Sequence, residues 1–171
     1  KIGAHISAAG GVDKVFDRAN SIGAEVVQIF VSSPRGWTFK PLAFETICSF
    51  QQQFSTSIVE QVFFHGIYLV SVGTDNKENL DKGEESLKNY MQTARDLGAY
   101  GVIFHAGSHK GVGFEAVFNQ AVQTIGKVLD QSPKDTCLIL ENSAGMGDHL
   151  CSSFIEIGKI LRALERPNLK V

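Results

Sequence analysis

The chain has 171 residues, 43% of them hydrophobic, which is enough for one packed core and unlike low-complexity or disordered sequence. A net charge of −2 and an isoelectric point near 6.2 exclude a bulk basic field, so any contact with a polyanion must be local. Cys48, Cys137 and Cys151 are widely spaced and form no CxxC pair, and no apolar run approaches transmembrane length, which excludes a disulfide scaffold and a membrane span and points to a reducing compartment. The expectation is a single-domain, cytoplasmic monomer over residues 1–171 with no membrane partner and no signal or transit pattern at its start.

Short β-branched or aromatic runs alternate along the chain with longer segments of helical period. "IGAHIS" leads into "GVDKVFDRANSIG", where Val12, Val15, Phe16 and Ala19 share a face and Gly23 stands at a stop position. "EVVQIF" is followed by the loop "VSSPRGW" and a helical pattern from about Pro41 to Phe54. The strand "QVFFHG" precedes "DKGEESLKNYMQTARDLGA", whose Leu87, Tyr90, Met91, Ala94 and Leu97 form an apolar stripe ending at Gly98. "YGVIFHAG" precedes "FEAVFNQAVQTIGKVLDQ"; "TCLILENS" precedes "SSFIEIGKILRALE"; "NLKV" opens one more apolar run. Phe16, Met91, Leu97, Phe118 and Leu161 are read as core.

Strand–helix alternation without hairpin signals means parallel strands joined by helical crossovers. Strand starts near Ile2, Val26, Val62, Val102, Leu138 and Leu169 recur at intervals of about 24 to 40 residues, whereas a closed (β/α)8 barrel needs about 250 residues. Two architectures remain: an open α/β sheet of about six strands, or the N-terminal five to six β/α units of a TIM (β/α)8 barrel. No GxGxxG follows the first strand, which lowers the dinucleotide-fold reading.

Three successive strands share one design. "VFFH" ends in His65, "VIFH" in His105 and "LILE" in Glu141, each an apolar triplet followed by a residue able to ligate a metal. In parallel α/β folds the C-terminal strand ends converge on one crevice, and two imidazoles with a carboxylate suit zinc or a similar divalent ion. Singly, a histidine there is more often a hydrogen-bonded rim residue and a glutamate more often caps the next helix; the repeated register favours the metal reading. "AGSHKG" and "NSAGMGDH" are small-residue loops whose backbone N–H groups, with Lys110, can approach a phosphate, although ordinary turn chemistry explains either loop alone. His109 and His149 are taken as exposed loop residues and not ligands. His5 either lines the site or packs beneath it. Arg35, Trp37, Tyr68 and Leu69 border the same mouth, where exposed aromatic and arginine side chains suit stacking on or wedging into nucleic acid; for Trp37 packing under its loop is the simpler reading.

"IGAHISAAGGV", "QIFVSSPRGW", "HGIYLVSVG", "FHAGSHKG" and "LENSAGMG", in this order, resemble the endonuclease IV family of apurinic/apyrimidinic endonucleases over nearly the whole chain. The resemblance implies a TIM barrel with three zinc ions at the C-terminal strand ends and hydrolysis of the phosphodiester 5′ to an abasic site in duplex DNA. It implies that His65 and His105 are ligands of one zinc, and that Glu141 is the catalytic carboxylate bridging it to a second. It further implies that Arg35 enters the base stack while Tyr68 and Leu69 fill the space around the abasic gap. An abasic nucleotide lacks stacking, so extruding it costs little, which itself selects damage. The family's later aspartate, histidine and glutamate ligands have no counterpart up to Val171, and Ser71 stands where the family commonly has Asn. The expectation is therefore a partial barrel, its C-terminal strands absent, with the first zinc position, half of the bridge, exposed sheet edges and no complete active site of its own. The competing expectations are a sugar isomerase or epimerase of the xylose isomerase type, which uses divalent metals at the same face, and a truncated, non-catalytic barrel.

Overall fold

The computed structural model describes residues 1–145 and 147–171; Met146, in the predicted "NSAGMGDH" loop, lies outside the described residues. In chain order the strands are β1 (Gly3–His5), β2 (Val26–Ile29), β3 (Gln61–His65), β4 (Gly101–His105), β5 (Cys137–Glu141) and β6 (Leu169–Lys170). The helices are α1 (Val15–Ile22), α2 (Phe44–Thr56), α3 (Lys77–Leu97), α4 (Phe114–Gln131) and α5 (Phe154–Leu164), with a 3-10 turn at Val12–Lys14 before α1. All six strands are parallel and lie in the order β1-β2-β3-β4-β5-β6. That order has no reversal point. Right-handed crossovers all stepping the same way put every helix on one face of the sheet, which is barrel winding and removes the doubly wound alternative.

The pleat assigns the two faces. Val27, Ile29, Val62, Phe64, Val102, Phe104, Leu138, Leu140 and Leu169 are buried beneath the helices, joined by Phe16, Phe50, Leu87, Tyr90, Met91, Ile125 and Ile160. The alternate set, Gln28, Phe63, His65, Ile103, His105, Ile139 and Glu141, faces the concave side. The period of 2 therefore puts the two histidines and the glutamate on the same face, each as the last residue of its strand.

Helix ends follow local chemistry. Gly23 and Gly98 adopt φ of 70° and 72° and close α1 and α3 with left-handed caps, as expected where a Cβ would cost energy. Asn76 caps α3 by accepting from the Asn79 N–H, and Ser153 caps α5 by accepting from Glu156 N–H. One boundary differs from the sequence reading: α2 begins at Phe44 rather than near Pro41, because Ala43 is extended (ψ 149°) and Leu42 is drawn onto the core. Phe118 and Leu161 are only partly buried against the core.

Candidate metal centre

Strand register brings the predicted donors together. His105 pairs with Glu141 across β4 and β5, and His65 with Ile103 across β3 and β4. His65 Nε2 lies 3.3 Å from Glu141 Oε2, and His105 Nε2 lies 3.8 Å from the same oxygen. One donor atom from each of the three lies within 4.8 Å of the others. The His65 and His105 rings are 5.1 Å apart.

His65 is buried, and its Nδ1 sits 2.7 Å from the carbonyl of Gly66. A carbonyl only accepts, so Nδ1 donates to it and Nε2 is the ring nitrogen turned toward Glu141. A 3.3 Å gap between an imidazole nitrogen and a carboxylate oxygen is bridged either by a proton on the nitrogen or by a metal cation that both ligate. The donor set therefore fits a divalent ion of the zinc type on its own geometry. Burial holds the His105 imidazole below its ordinary 6.5; Glu141 pulls it back up, while His65 and His149 push it further down. Desolvation with help from His65 also lowers His5. Neutral imidazoles are the form that binds metal.

His5 stands at the margin. Its Nδ1 accepts from the Gln28 side-chain amide at 3.0 Å, and its ring lies 4.8 Å from Phe30 and 6.3 Å from His65. It lines the site edge and belongs to no donor group among the described residues.

Tyr68 packs edge-on against Phe30 and His65, at 5.3 and 5.6 Å between ring centroids, yet remains 54% exposed. Leu69 and Arg35 are also exposed. Trp37 is half-buried against the core, as packing predicts. Tyr68, Leu69, Ser71, His105, Lys110 and Glu141 line one crevice of about 670 Å³, a size that accepts a nucleotide-scale group.

Two features escape a reading of the sequence. His109 is half-buried rather than exposed, because its Nδ1 accepts the Gly113 N–H at 3.1 Å and its own backbone N–H reaches Asp148 O at 2.9 Å. His149 is exposed as expected. Ser71 has a structural use: its Oγ accepts the Ser108 N–H at 3.1 Å, tying the loop after β3 to the loop after β4. A loop histidine or serine carries no sequence signal for these ties.

Residues 16–171 match the family model for the xylose isomerase-like TIM barrel. The chain belongs to the xylose isomerase-like TIM barrel family. Within it, the chain is 32% identical over 165 residues to a protein from Halothermothrix orenii named "Probable endonuclease 4", covering 96% of this chain and 59% of that protein. A second relative of the same name, from Methanosphaerula palustris, is 34% identical, with 98% of this chain and 60% of that protein covered. The crystal structure of endonuclease IV from Thermus thermophilus superposes with a TM-score of 0.83 at 28% identity, covering 94% of this chain and 58% of that one. A D-tagatose 3-epimerase-like structure reaches 0.77 at 12% identity, covering 99% of this chain and 62% of that one, a likeness of fold alone. The chain thus spans about three-fifths of the length of the relatives it matches. Among the described residues no helix is long and apolar enough to cross a membrane.

Proposed function

We propose that residues 1–171 form one partial-barrel domain carrying the first metal position and the lesion-facing mouth of a zinc-dependent endonuclease that cuts duplex DNA 5′ to abasic sites. His65, His105 and Glu141 hold the ion, and Glu141, whose carboxylate is 40% exposed, keeps an oxygen free to reach a second one. Zinc at this position supplies Lewis-acid stabilisation of phosphate-oxygen charge and lowers the pKa of water. The protein's own part is to orient: the Gly66 carbonyl fixes His65, and the His65 ring supports Tyr68 from below.

The observation that carries this reading is the position of Tyr68. An aromatic ring that rests on a metal-binding histidine and also projects into solvent beside Leu69 and Arg35 is placed to fill the gap left by a missing base while the adjoining phosphate reaches the ion. The same crevice also carries Thr74, Asn79, Asn142 and Ser143, polar groups that a hydroxyl-rich sugar would use, so the ketose arm of the test is what separates the isomerase reading. Three free thiols agree with work in a reducing cytoplasm, and a monomer contacting DNA through backbone groups and a few local cations needs no basic bulk charge.

The test is cleavage of a duplex containing one abasic analogue, with zinc, against a lesion-free duplex and a ketose. Selective binding of the abasic duplex by residues 1–171, without efficient incision by this partial barrel alone, supports the proposal. Ketose turnover, or equal affinity for both duplexes, overturns it.

A further inference from the structure

The segment 66–76, between β3 and α3, contains both Tyr68 and Leu69 and has no regular secondary structure. Its second half is nonetheless heavily tied: Val72, Gly73 and Thr74 are buried, and the Val72 N–H donates to Ala106 O at 2.9 Å. The carbonyls of Val72 and Thr74 point the other way, toward the helix layer. Both are met by one side chain, Gln120 of α4, whose Nε2 lies 2.9 Å from Val72 O and 2.8 Å from Thr74 O. A primary amide has two N–H groups, and here each one serves a separate carbonyl. The Ser71 bond to Ser108 N–H pins the same turn from the site side.

We infer that Gln120 is a positioning residue for DNA recognition: from the outer helix layer it clamps the loop that presents Tyr68 and Leu69, and so sets discrimination between abasic and intact duplex. The inference rests on the function proposed above. Gln120 touches none of the metal donors. Loss of its amide orphans two buried carbonyls four and six residues beyond Tyr68, and a loop with orphaned buried carbonyls shifts to reach water. Strand β3 and His65 stay fixed by the β4 ladder, so the consequence falls on the mouth and spares the metal.

The experiment measures the affinity of the zinc-loaded protein for an abasic-analogue duplex and for the matched intact duplex, taking the ratio. Gln120→Leu keeps the volume and removes both donors; it is expected to lower the ratio about tenfold, since two hydrogen bonds of ordinary worth are lost, with zinc affinity unchanged. Gln120→Lys restores donors at a half-buried position and recovers the ratio, because its added charge acts on both duplexes alike. Combining Gln120→Leu with the Tyr68→Ala, Leu69→Ala pair gives no loss beyond that of the pair alone. If Gln120→Leu does not fold, Gln120→Glu, of the same shape but facing both carbonyls with acceptors, carries the same expectation. A wild-type ratio in a folded variant that has only lost thermal stability overturns the inference, as does a loss that adds to that of the Tyr68→Ala, Leu69→Ala pair. If the wild type itself does not discriminate, the proposed function fails first and takes the inference with it, a result visible before any variant is made.

Discussion

The backbone N–H of Tyr68 donates to the carbonyl of Pro34 at 2.9 Å, so the loop carrying Arg35 is stitched to the loop carrying Tyr68 and Leu69, whose Tyr68 ring packs against His65. Contacts made by Arg35 and Tyr68 are therefore expected to depend on each other. Tyr68→Ala weakens binding to an abasic-analogue duplex by about 1–3 kcal/mol, the range for aromatic stacking on nucleic acid. The double variant with Arg35→Ala should depart from additivity by about 0.5 kcal/mol or more, as coupled neighbours do. Fluorescence anisotropy across the four proteins checks this, and additivity within about 0.3 kcal/mol shows that the two loops act independently.

Metal affinity isolates the donor set. Glu141→Gln and His105→Ala are each expected to lower zinc affinity by more than about 100-fold, since changes one shell further out already cost about 10- to 100-fold. His149→Ala, in the same crevice but outside the donor group, leaves it unchanged. Competition against a chromophoric chelator measures all three. Zinc at about 100 times its dissociation constant should raise the stability of the wild type by about 2.7 kcal/mol and that of Glu141→Gln hardly at all.

Acid should destabilise the metal-free protein through its imidazoles. Burial holds His105 and His5 below 6.5 in the folded state. As pH falls through 6.5 the unfolded chain binds these protons first, so the stability is fully present above that pH and is lost as pH drops toward the folded-state values. With zinc removed by chelator, the urea midpoint is expected to be level near about pH 8 and to fall between about pH 7 and 5, above the main carboxylate range. His5→Gln should flatten part of the fall. A midpoint that rises on acidification in this window contradicts the burial argument.

How legible is all this in sequence? His65, His105 and Glu141 are readable because each ends an apolar strand, and parallel winding sends all such ends to one crevice; nothing about their distances has to be known. The Gly23 and Gly98 stops are readable because left-handed caps have a residue signature. Barrel winding stays open beside a doubly wound sheet, since strand order is a property of the assembled sheet. The bond from Ser108 N–H to Ser71 Oγ spans 37 residues, and Gln120 reaches Val72 and Thr74 from 48 and 46 residues away; such ties leave no periodic trace. His109 is misread for a related reason: a loop histidine looks exposed until the turn it closes is seen.

The interlock of the loops can be tested at Gly107. It adopts a φ of +84°, and a Cβ built there overlaps the Oγ, Cβ and Cα of Ser71. Gly113 has a similar φ of +88° with nothing within 4 Å of its Cβ position, which makes it the control for backbone strain. Both alanine variants carry the backbone strain of a positive φ, about 1–3 kcal/mol, and Gly113→Ala, at a ψ of 153° outside the left-handed well, is expected to show that and no more. Gly107→Ala must in addition push the Ser71 backbone aside, so its loss should exceed about 3 kcal/mol, in line with overpacking added to strain. Ser71→Gly should not rescue it, because the overlap with the Ser71 Cα remains. Urea midpoints of the wild type, the two alanine variants and the Gly107→Ala, Ser71→Gly double variant decide the matter: equal losses at Gly107 and Gly113 mean the loops after β3 and β4 are not in contact. A larger loss at Gly107 locates the contact two residues beyond His105, where the packing that orders the mouth is continuous with the strand end that carries a candidate metal donor.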